Sequence, residues 1–362
     1  MKFFVYVILI FFMLGEFMLV DAQKFIPADN PGIKYYGRWD LSDPLHPRHS
    51  WPGTYLTTVF TGKKIGVRMN DGINYYNIYI DGKLHSILHA NIIGDADYII
   101  SENLTEGKHS LKISKRNICF EKVFSINGLI VDDNAQILES EKKEKLKIEF
   151  IGDSFTAAES NEAKVQSLEW EARFPVTNFD LGFAGVIAEH FNAEYSGTCR
   201  SGSGVVCDWQ GKKEFSIPNL YDRTLMEAEL PKWNFLSWIP DLIVCTLGLN
   251  DMSGLKEKDG SYTVSSAQLF RSTYKDFVKR LKNLYPNVKI LLVAAHPDWI
   301  QKNVKMIVDE ANLEGNNDLY YSKFDYYEGG YVANGHPTVE TDKKIAEQII
   351  KAIEEYSLVA KK

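Results

Sequence analysis

Residues 146–154, LKIEFIGDS, join a short apolar run directly to a serine. The first six of these residues are typical of a buried strand in a parallel sheet. A second apolar run, DLIVCTL at 241–247, leads in the same way into GLND at 248–251, and GHP at 335–337 stands just before a helical stretch. Because ligands bind at the carboxyl ends of the strands in open α/β sheets, we predict that a serine, an asparagine and a histidine meet there.

The region from residue 146 to 362 has the pattern of an α/β domain, in which strand-like runs alternate with stretches of helical periodicity. Strands separated by helices of this length favour a parallel sheet that is covered on both faces. The strand-like runs lie at 146–151, 241–247 and 289–295, and the helical stretches include 182–191, 265–284 and 340–355.

Residues 23–138 have a different texture, with many short strand-like runs separated by turns that contain glycine. In residues 75–80 the apolar Tyr76, Ile78 and Ile80 alternate with other residues, which predicts a sheet with one buried face. Such a series of short strands favours a β-sandwich of jelly-roll type. The charged run 139–145 is the predicted linker to the α/β domain. The predicted strands lie at 56–60, 65–69, 75–80, 110–114 and 126–131.

The bulk composition is that of a globular protein of about two domains, with 362 residues and 45% hydrophobic side chains. A net charge of −7 argues against a nucleic-acid partner, which would require a basic face.

The N-terminus carries Lys2 and then an apolar run at 3–14 that is too short to span a bilayer. This pattern predicts a cleaved secretory signal over 1–22, an extracellular protein and no membrane association after cleavage, although an uncleaved anchor stays an alternative. Cys199 and Cys207 could pair in an oxidising compartment, but the sequence leaves that open.

The three motifs supply the groups that acyl transfer requires. Ser154 is a candidate nucleophile, and it needs an adjacent base, for which His336 is the candidate and His296 the rival. The amide of Asn250 and the backbone N–H of Ser154 are candidate oxyanion donors. A glycine N–H, from Gly202 or Gly204, is a further one, and losing one such donor typically costs about 2.7–4 kcal/mol.

Two further residues near these motifs are candidates for substrate binding. Asp153 belongs to the serine turn, where local hydrogen bonding is its other predicted role. Trp209 follows the glycine-rich segment 201–205, and it is either a platform for a sugar ring or part of the core.

In this order, the three motifs resemble those of the SGNH (GDSL-type) hydrolases. From about residue 30 to 350 the chain resembles carbohydrate esterase family 2, in which a jelly roll precedes an SGNH domain of flavodoxin-like, three-layer type. The stretches that carry the closer resemblance are YGRW at 36–39, WPGT at 51–54, IDG at 80–82, SGSGV at 201–205, YDRTL at 221–225 and WIPD at 238–241.

The resemblance implies an esterase that removes O-acetyl groups from plant polysaccharides such as acetylated xylan or glucomannan, with the 6-position of hexoses favoured. It also implies catalysis without metal or cofactor, and we expect a monomer that binds an acetylated polysaccharide or oligosaccharide. Two alternatives stay open, which are a lipid esterase of the same fold and a non-catalytic carbohydrate-binding protein.

The sequence departs from the SGNH pattern at two places. Many SGNH enzymes have an aspartate three residues before the histidine, where this chain has Ala333. The resemblance to family 2 favours a Ser–His dyad in which a backbone carbonyl holds the imidazole, with Asp325 or Asp298 as an alternative carboxylate. The second departure is FTAAE at 155–159, where the family more often has a glycine-rich turn, and we expect it to alter the floor of the pocket.

Overall fold

The structure is a computed structural model that describes residues 23–120, 122–139 and 145–360. The predicted signal at 1–22 and most of the predicted linker lie outside the described residues. Within the described part of the chain, no helix is long and apolar enough to cross a membrane.

The N-terminal region forms two packed antiparallel sheets, as the frequent turns predict. One sheet has the strand order β3-β4-β11-β6-β9 with β1 paired to β11, and the other has the order β12-β5-β10-β7-β8 with β2 paired to β5. The strands are β1 (Gln23–Pro27), β2 (Lys34–Tyr36), β3 (Trp39–Asp40), β4 (Arg48–His49), β5 (Tyr55–Thr61), β6 (Ile65–Asn70), β7 (Tyr75–Ile80), β8 (Lys83–His89), β9 (Asp95–Ser101), β10 (Lys108–Lys115), β11 (Phe124–Asp132) and β12 (Ile137–Leu138).

The predicted alternation along β7 is confirmed for its apolar face only. Tyr76, Ile78 and Ile80 are buried in the core between the two sheets. The opposite face is also covered, because Asn77 is buried and donates to Asp180 of the C-terminal region (2.8 Å). This face of the sandwich therefore packs on the α/β domain instead of facing solvent.

The C-terminal region is built on a five-stranded parallel sheet with the order β14-β13-β15-β16-β17. This is the flavodoxin-like order, in which the chain reverses direction across the sheet between the first and third strands in sequence, here β13 and β15. In folds of this kind, ligands bind at that point, beyond the carboxyl ends of the strands. The strands are β13 (Lys147–Gly152), β14 (Glu194–Cys199), β15 (Leu242–Thr246), β16 (Lys289–Ala294) and β17 (Leu319–Lys323).

Helices cover both faces of the parallel sheet, which confirms the predicted three-layer arrangement. One pair, α1 and α6, packs together, and a second pair, α4 and α5, does the same. The helices are α1 (Phe183–His190), α2 (Ile217–Leu220), α3 (Leu249–Gly254), α4 (Val264–Leu284), α5 (Asp298–Leu313) and α6 (Val339–Glu355), and a small hairpin is formed by β18 (Tyr331–Val332) and β19 (His336–Pro337).

A buried ion pair joins the two domains beside the first parallel strand. Arg38 of the sandwich donates through Nη2 to Oε1 of Glu149 on β13 (3.2 Å). Glu149 also accepts from Thr198 Oγ1 (2.7 Å) and from the hydroxyl of Tyr221 (2.6 Å). Because a buried charge is tolerated only when it is paired and hydrogen-bonded, this cluster ties the sandwich to the parallel sheet.

The possible Cys199–Cys207 disulfide is not formed. All four cysteines, Cys119, Cys199, Cys207 and Cys245, are buried free thiols. Each one therefore acts as a small buried side chain.

Candidate active site

Ser154 lies in a tight turn directly after β13, at the point where the sheet order reverses. Asp153 Oδ1 accepts the N–H of Phe155 (3.0 Å), and the carbonyl of Ser154 accepts the N–H of Glu159 (3.0 Å). Gly152 is required here, because a Cβ at this position would lie 1.9 Å from Thr156 Oγ1. The Ser154 side chain is half-buried, and its hydroxyl makes no hydrogen bond to any described residue.

His336 is buried, and its ring is fixed by a backbone carbonyl. Nδ1 lies 2.8 Å from the oxygen of Ala333, which has no hydrogen to donate, so Nδ1 carries the proton and Nε2 is left as the basic nitrogen. The alternative carboxylates do not reach this ring. Asp325 accepts from Gln348 Nε2 (3.1 Å), and Asp298 is exposed at the start of α5.

An unusual backbone holds the Ala333 carbonyl in place. In residues 331–337, which we term the histidine loop, Ala333, Asn334 and Gly335 all have positive φ, at 29°, 67° and 85°. The N–H groups of Ala333 and Asn334 donate to the carbonyls of Val165 and Gln166 (2.8 Å each). These bonds anchor the loop to a separate segment of the chain.

The rival base, His296, lies beside the site but faces an aromatic cluster. Its ring centroid is 5.7 Å from that of Tyr331 and 5.1 Å from that of Tyr326. Burial lowers the pKa of His296, and its Nδ1 is buried without a hydrogen-bond partner in the described residues. No hydrogen bond connects it to Ser154 in the part of the chain that the structure describes.

Both glycine candidates, Gly202 and Gly204, lie in the segment 200–208, which we term the oxyanion loop, but only one of them has an N–H group that is free within the described residues. The N–H of Gly204 donates to the carbonyl of Cys207 (2.8 Å) and is therefore occupied. The N–H groups of Gly202 and of Ser154 donate to no protein acceptor in the described residues. Two free N–H groups are thus available for a developing negative charge.

Asp251, directly after Asn250, shapes the oxyanion loop. Its buried carboxylate accepts the N–H groups of Val205 (2.8 Å) and Val206 (2.7 Å). Burial raises the pKa of Asp251 to about 6, and these N–H bonds oppose the rise. A Cβ at Gly204 would lie 2.3 Å from Asp251 Oδ2, so the glycine permits this close approach. The sequence analysis did not find this role, which depends on a contact between distant segments.

Asn250 links the serine turn to the oxyanion loop. Its Nδ2 donates to Asp153 Oδ2 (3.2 Å) and to the carbonyl of Ser203 (3.0 Å), so both amide hydrogens are engaged.

Asp153 is buried, and both of its oxygens accept hydrogen bonds, Oδ1 from the N–H of Phe155 within the serine turn and Oδ2 from Asn250, which favours the predicted hydrogen-bonding role over substrate binding. Burial raises the pKa of Asp153 to about 7; the bond from the N–H of Phe155 opposes the rise, and the charges of Asp251 and Glu159 add to it.

Trp209 lies at the rim of the site with 57% of its surface exposed, so it does not belong to the core. Its N–H donates to the carbonyl of Gly202 (2.9 Å). A Cβ at Gly202 would lie 2.9 Å from Trp209 Cδ1, which means that the indole packs against this glycine. An exposed aromatic face therefore stands next to the candidate oxyanion donor.

Glu159 is a buried residue of the site that the sequence analysis did not identify. Its Oε1 lies 3.9 Å from His336 Nε2 and accepts from Arg173 Nη1 (2.6 Å), while Oε2 accepts from the hydroxyl of Ser201. The signal available in the sequence was the departure at 155–159 from a glycine-rich turn.

The described residues contain no cluster of three or more His, Cys, Asp or Glu side chains suited to a metal ion. The groups gathered at the sheet end are instead those of a nucleophilic serine site, with a base of fixed tautomer and free oxyanion donors.

Comparisons with known proteins bear on both regions. The family model for the carbohydrate esterase 2 N-terminal region matches residues 35–140. Cellulase/esterase CelE of Acetivibrio thermocellus is 28% identical over 335 residues, which cover 90% of this chain and 39% of CelE. An acetylxylan esterase / glucomannan deacetylase of Cellvibrio japonicus is 29% identical over 268 residues, which cover 74% of this chain and 72% of that protein.

A solved structure extends the similarity to the whole described fold. A family two carbohydrate esterase from Clostridium thermocellum, in complex with cellohexaose, matches with a TM-score of 0.81 at 26% identity. The match covers 91% of this chain and 100% of that one. The chain spans only 39% of the length of CelE.

Proposed function

We propose that the chain is a carbohydrate esterase of family 2, and that it is a serine esterase that removes O-acetyl groups from plant cell-wall polysaccharides. The observation that carries the proposal is the orientation of His336. Its Nδ1 is bound by the Ala333 carbonyl at 2.8 Å, and its basic Nε2 faces the loop that begins at Ser154.

The proposed reaction proceeds through an acetyl-enzyme. His336 Nε2 takes the proton of the Ser154 hydroxyl as Oγ attacks the acetyl carbonyl carbon. The resulting oxyanion is stabilised by the free N–H groups of Ser154 and Gly202. The sugar oxygen then leaves with the proton from the imidazolium. Water, deprotonated by His336, attacks the acetyl-serine and releases acetate, and the serine recovers its proton.

Asn250 has a supporting role in this scheme. Both of its amide hydrogens are engaged in the free site, with Asp153 and with the Ser203 carbonyl. We propose that the bond to Asp153 is exchanged for one to the oxyanion as the tetrahedral intermediate forms. In the free enzyme the same bonds keep the serine turn and the oxyanion loop at a fixed separation.

The proposed catalytic pair is a Ser–His dyad. The Ala333 carbonyl fixes the tautomer and direction of the imidazole, which is one of the two tasks of the aspartate in a triad. A neutral carbonyl does not perform the other task, which is to stabilise the imidazolium with a full negative charge.

The substrate proposal rests on the relatives and on the rim of the site. The Cellvibrio japonicus relative is an acetylxylan esterase / glucomannan deacetylase, and the Clostridium thermocellum structure contains cellohexaose. The exposed indole of Trp209, next to Gly202, supplies a flat apolar surface with a polar edge that suits a sugar ring. The preference for the 6-position of hexoses rests on the family resemblance alone.

We also propose that the protein is secreted and acts as a monomer. Support for secretion comes from Lys2 and the short apolar run at 3–14, which are typical of a signal peptide. Mass spectrometry of protein recovered from the medium is expected to give an N-terminus near Gln23, and light scattering a single-chain mass.

The test is acetate release from acetylated glucomannan and acetylated xylan by the wild type, Ser154→Ala and His336→Ala. We expect release by the wild type alone, since neither variant retains both nucleophile and base. Folded wild-type protein that releases no acetate would refute the esterase proposal. Faster hydrolysis of 4-nitrophenyl octanoate than of 4-nitrophenyl acetate would favour the lipid esterase alternative.

A non-catalytic carbohydrate-binding function is the second candidate. The observation in its favour is that the Ser154 hydroxyl is not hydrogen-bonded to His336 in the described structure. It predicts saturable binding of the polysaccharide without acetate release, and with equal affinity in Ser154→Ala.

A further inference from the structure

Glu159 is a buried carboxylate next to the catalytic histidine, and the mechanism above gives it no task. It is 1% exposed, and its Oε1 lies 3.9 Å from His336 Nε2. Arg173 and the Ser201 hydroxyl bind its two oxygens. The Glu159 side chain thus lies next to the base, His336, and also binds Ser201, the residue before Gly202.

The backbone around Glu159 is built to aim it into the site. Its neighbours Ala158 and Ser160 both have positive φ, at 55° and 58°, a conformation that L residues other than glycine adopt rarely. The N–H of Ser160 donates to Thr177 Oγ1 (2.9 Å), which anchors the turn. Strained backbone on both sides of one residue persists only where the surrounding structure enforces it, and such strain concentrates at functional sites.

The position of the carboxylate fits a charge that acts through space. At 3.9 Å, Glu159 Oε1 is too far from His336 Nε2 for a hydrogen bond, so Nε2 stays free to accept the proton of Ser154. When that proton arrives, the imidazolium faces a buried negative charge, and such an interaction is stronger in a water-poor site than in solvent.

We propose that Glu159 is a positioning residue that takes over the electrostatic task of the aspartate missing at Ala333. It acts on the Nε2 side of His336, while the Ala333 carbonyl holds Nδ1. Through Ser201, the same carboxylate also fixes the start of the oxyanion loop. The proposal rests on the serine esterase function given above.

The charged groups around this pair moderate the expected effect. Arg173 binds Glu159 directly and cancels part of its charge. Asp153 of the serine turn is a further carboxyl group, and its charged form is disfavoured by burial and by the charges of Asp251 and Glu159. The oxyanion loop contributes Arg200, whose charge is neutralised by Glu227 (Nε to Oε1, 2.8 Å). The hairpin that carries His336 contributes the uncharged hydroxyl of Tyr331, whose pKa burial raises to about 12.

The test compares Glu159→Gln and Glu159→Asp with wild type, using 4-nitrophenyl acetate as the substrate. Gln keeps the size and acceptor oxygen but removes the charge. We expect kcat to fall about tenfold to hundredfold with KM nearly unchanged, where tenfold corresponds to about 1.4 kcal/mol. Asp is expected to recover part of the loss. Glu169→Gln, the same change at an exposed position, is the control, and is expected to keep wild-type rates.

A charge effect also predicts a shift in pH dependence that a structural role would not cause. A nearby carboxylate favours the protonated imidazole, so its removal should move the acidic limb of the kcat/KM profile to lower pH in Glu159→Gln. The His336 ring resonance in NMR titrations should move in the same direction. This measurement does not require turnover, so it tests Glu159 even if the esterase proposal fails.

Two results would overturn the proposal. One is a Glu159→Gln protein with wild-type kcat or an unshifted His336 titration. The other is Ser201→Ala reproducing both the rate loss and the shift in the acidic limb, because Ser201 contributes no charge and only links Glu159 to the oxyanion loop. Thermal unfolding of each variant is the check on folding, and Glu159→Asp keeps the test decisive if Gln destabilises the turn.

Discussion

The oxyanion loop and the histidine loop hold the proposed catalytic groups by different physical means. In the oxyanion loop, the buried carboxylate of Asp251 accepts two backbone N–H groups at 2.7–2.8 Å. In the histidine loop, backbone groups of Ala333 and Asn334 donate to neutral carbonyls, and three successive residues have positive φ. One loop therefore depends on a charge, and the other depends on residues that tolerate a left-handed backbone.

This difference predicts which perturbation affects which loop. Bonds from N–H groups to a carboxylate are about twice as strong as neutral ones, but they require the charge. A backbone-held loop is insensitive to charge, but it is strained by any residue that disfavours positive φ.

The largest expected effect is that of Asp251→Asn. The asparagine side chain would keep one acceptor oxygen for the N–H groups of Val205 and Val206, while its NH2 group would face the other N–H and repel it. The loop that presents the Gly202 N–H should therefore shift. We expect kcat for 4-nitrophenyl acetate to fall about 10²-fold, the loss seen when an oxyanion donor is removed. Asp208→Asn is the matched control, because that carboxylate binds the N–H groups of Gln210 and Lys212 at the far end of the loop. Equal losses in both variants would contradict the specific role of Asp251.

The second prediction concerns the pH dependence of stability that arises from the buried carboxyl group of Asp153. The carboxyl of Asp153 titrates near 3.8 when exposed and near 7 in the folded protein, because burial disfavours its charged form. Between those pH values the folded state holds a proton that the unfolded state has released. The contribution of this group to the free energy of unfolding is therefore present at acidic pH and is lost as pH rises through about 7.

We expect Asp153→Asn to remove that pH dependence. Relative to wild type, its free energy of unfolding should rise between pH 4 and 7 by a few kcal/mol at most, since one pKa unit corresponds to about 1.4 kcal/mol. Urea unfolding at several pH values measures this difference. Asp133→Asn, at an exposed position, should follow the wild-type profile. Parallel profiles for wild type and Asp153→Asn would show that Asp153 is not a buried acid of raised pKa.

The sequence predicted the elements that carry strong apolar patterns and missed those that do not. Strands predicted at 146–151 and 289–295 are observed as Lys147–Gly152 and Lys289–Ala294. The edge strand β14, EYSGTC, was missed because its small and polar residues have no strand pattern. They are buried because the sandwich and Phe179 cover them, and a Cβ at Gly197 would lie 2.9 Å from both Pro52 O and Phe179 Cε2. Tertiary packing determines this strand, and local propensity does not.

The site shows the same division. Ser154 and Asn250 follow their predicted strands and His336 precedes its predicted helix, so motif spacing was enough to predict this placement. Asp251 and Glu159 act on segments that are far away in the chain, at 205–206 and at 336. No local pattern encodes such contacts. The residues at 155–159 were recognised as a departure, but only the fold shows that the departure places a carboxylate beside the histidine.

The smallest expected effect tests the backbone-held loop and separates strain from hydrogen bonding. Asn334 has φ 67°, and its side chain accepts the N–H of Leu168 (3.1 Å). Asn334→Gly keeps the left-handed backbone and loses the side-chain bond, whereas Asn334→Ala loses both. We expect Ala to be less stable than Gly by about 1 kcal/mol and to lower kcat about fivefold, because the Ala333 carbonyl that orients His336 moves with the strained peptide.

Asn192 provides the matched control for this loop. It also has a left-handed backbone, with φ 48°, but it lies after α1 and away from the catalytic groups. Asn192→Ala should therefore lower the melting temperature about as much as Asn334→Ala does while leaving kcat unchanged. If Asn334→Ala and Asn334→Gly have the same kcat and stability, backbone strain does not fix the histidine, and the bonds to Val165 and Gln166 alone are sufficient. A loss of kcat in Asn334→Ala without a loss in Asn192→Ala would instead show that the left-handed conformation matters for the direction of the Ala333 carbonyl.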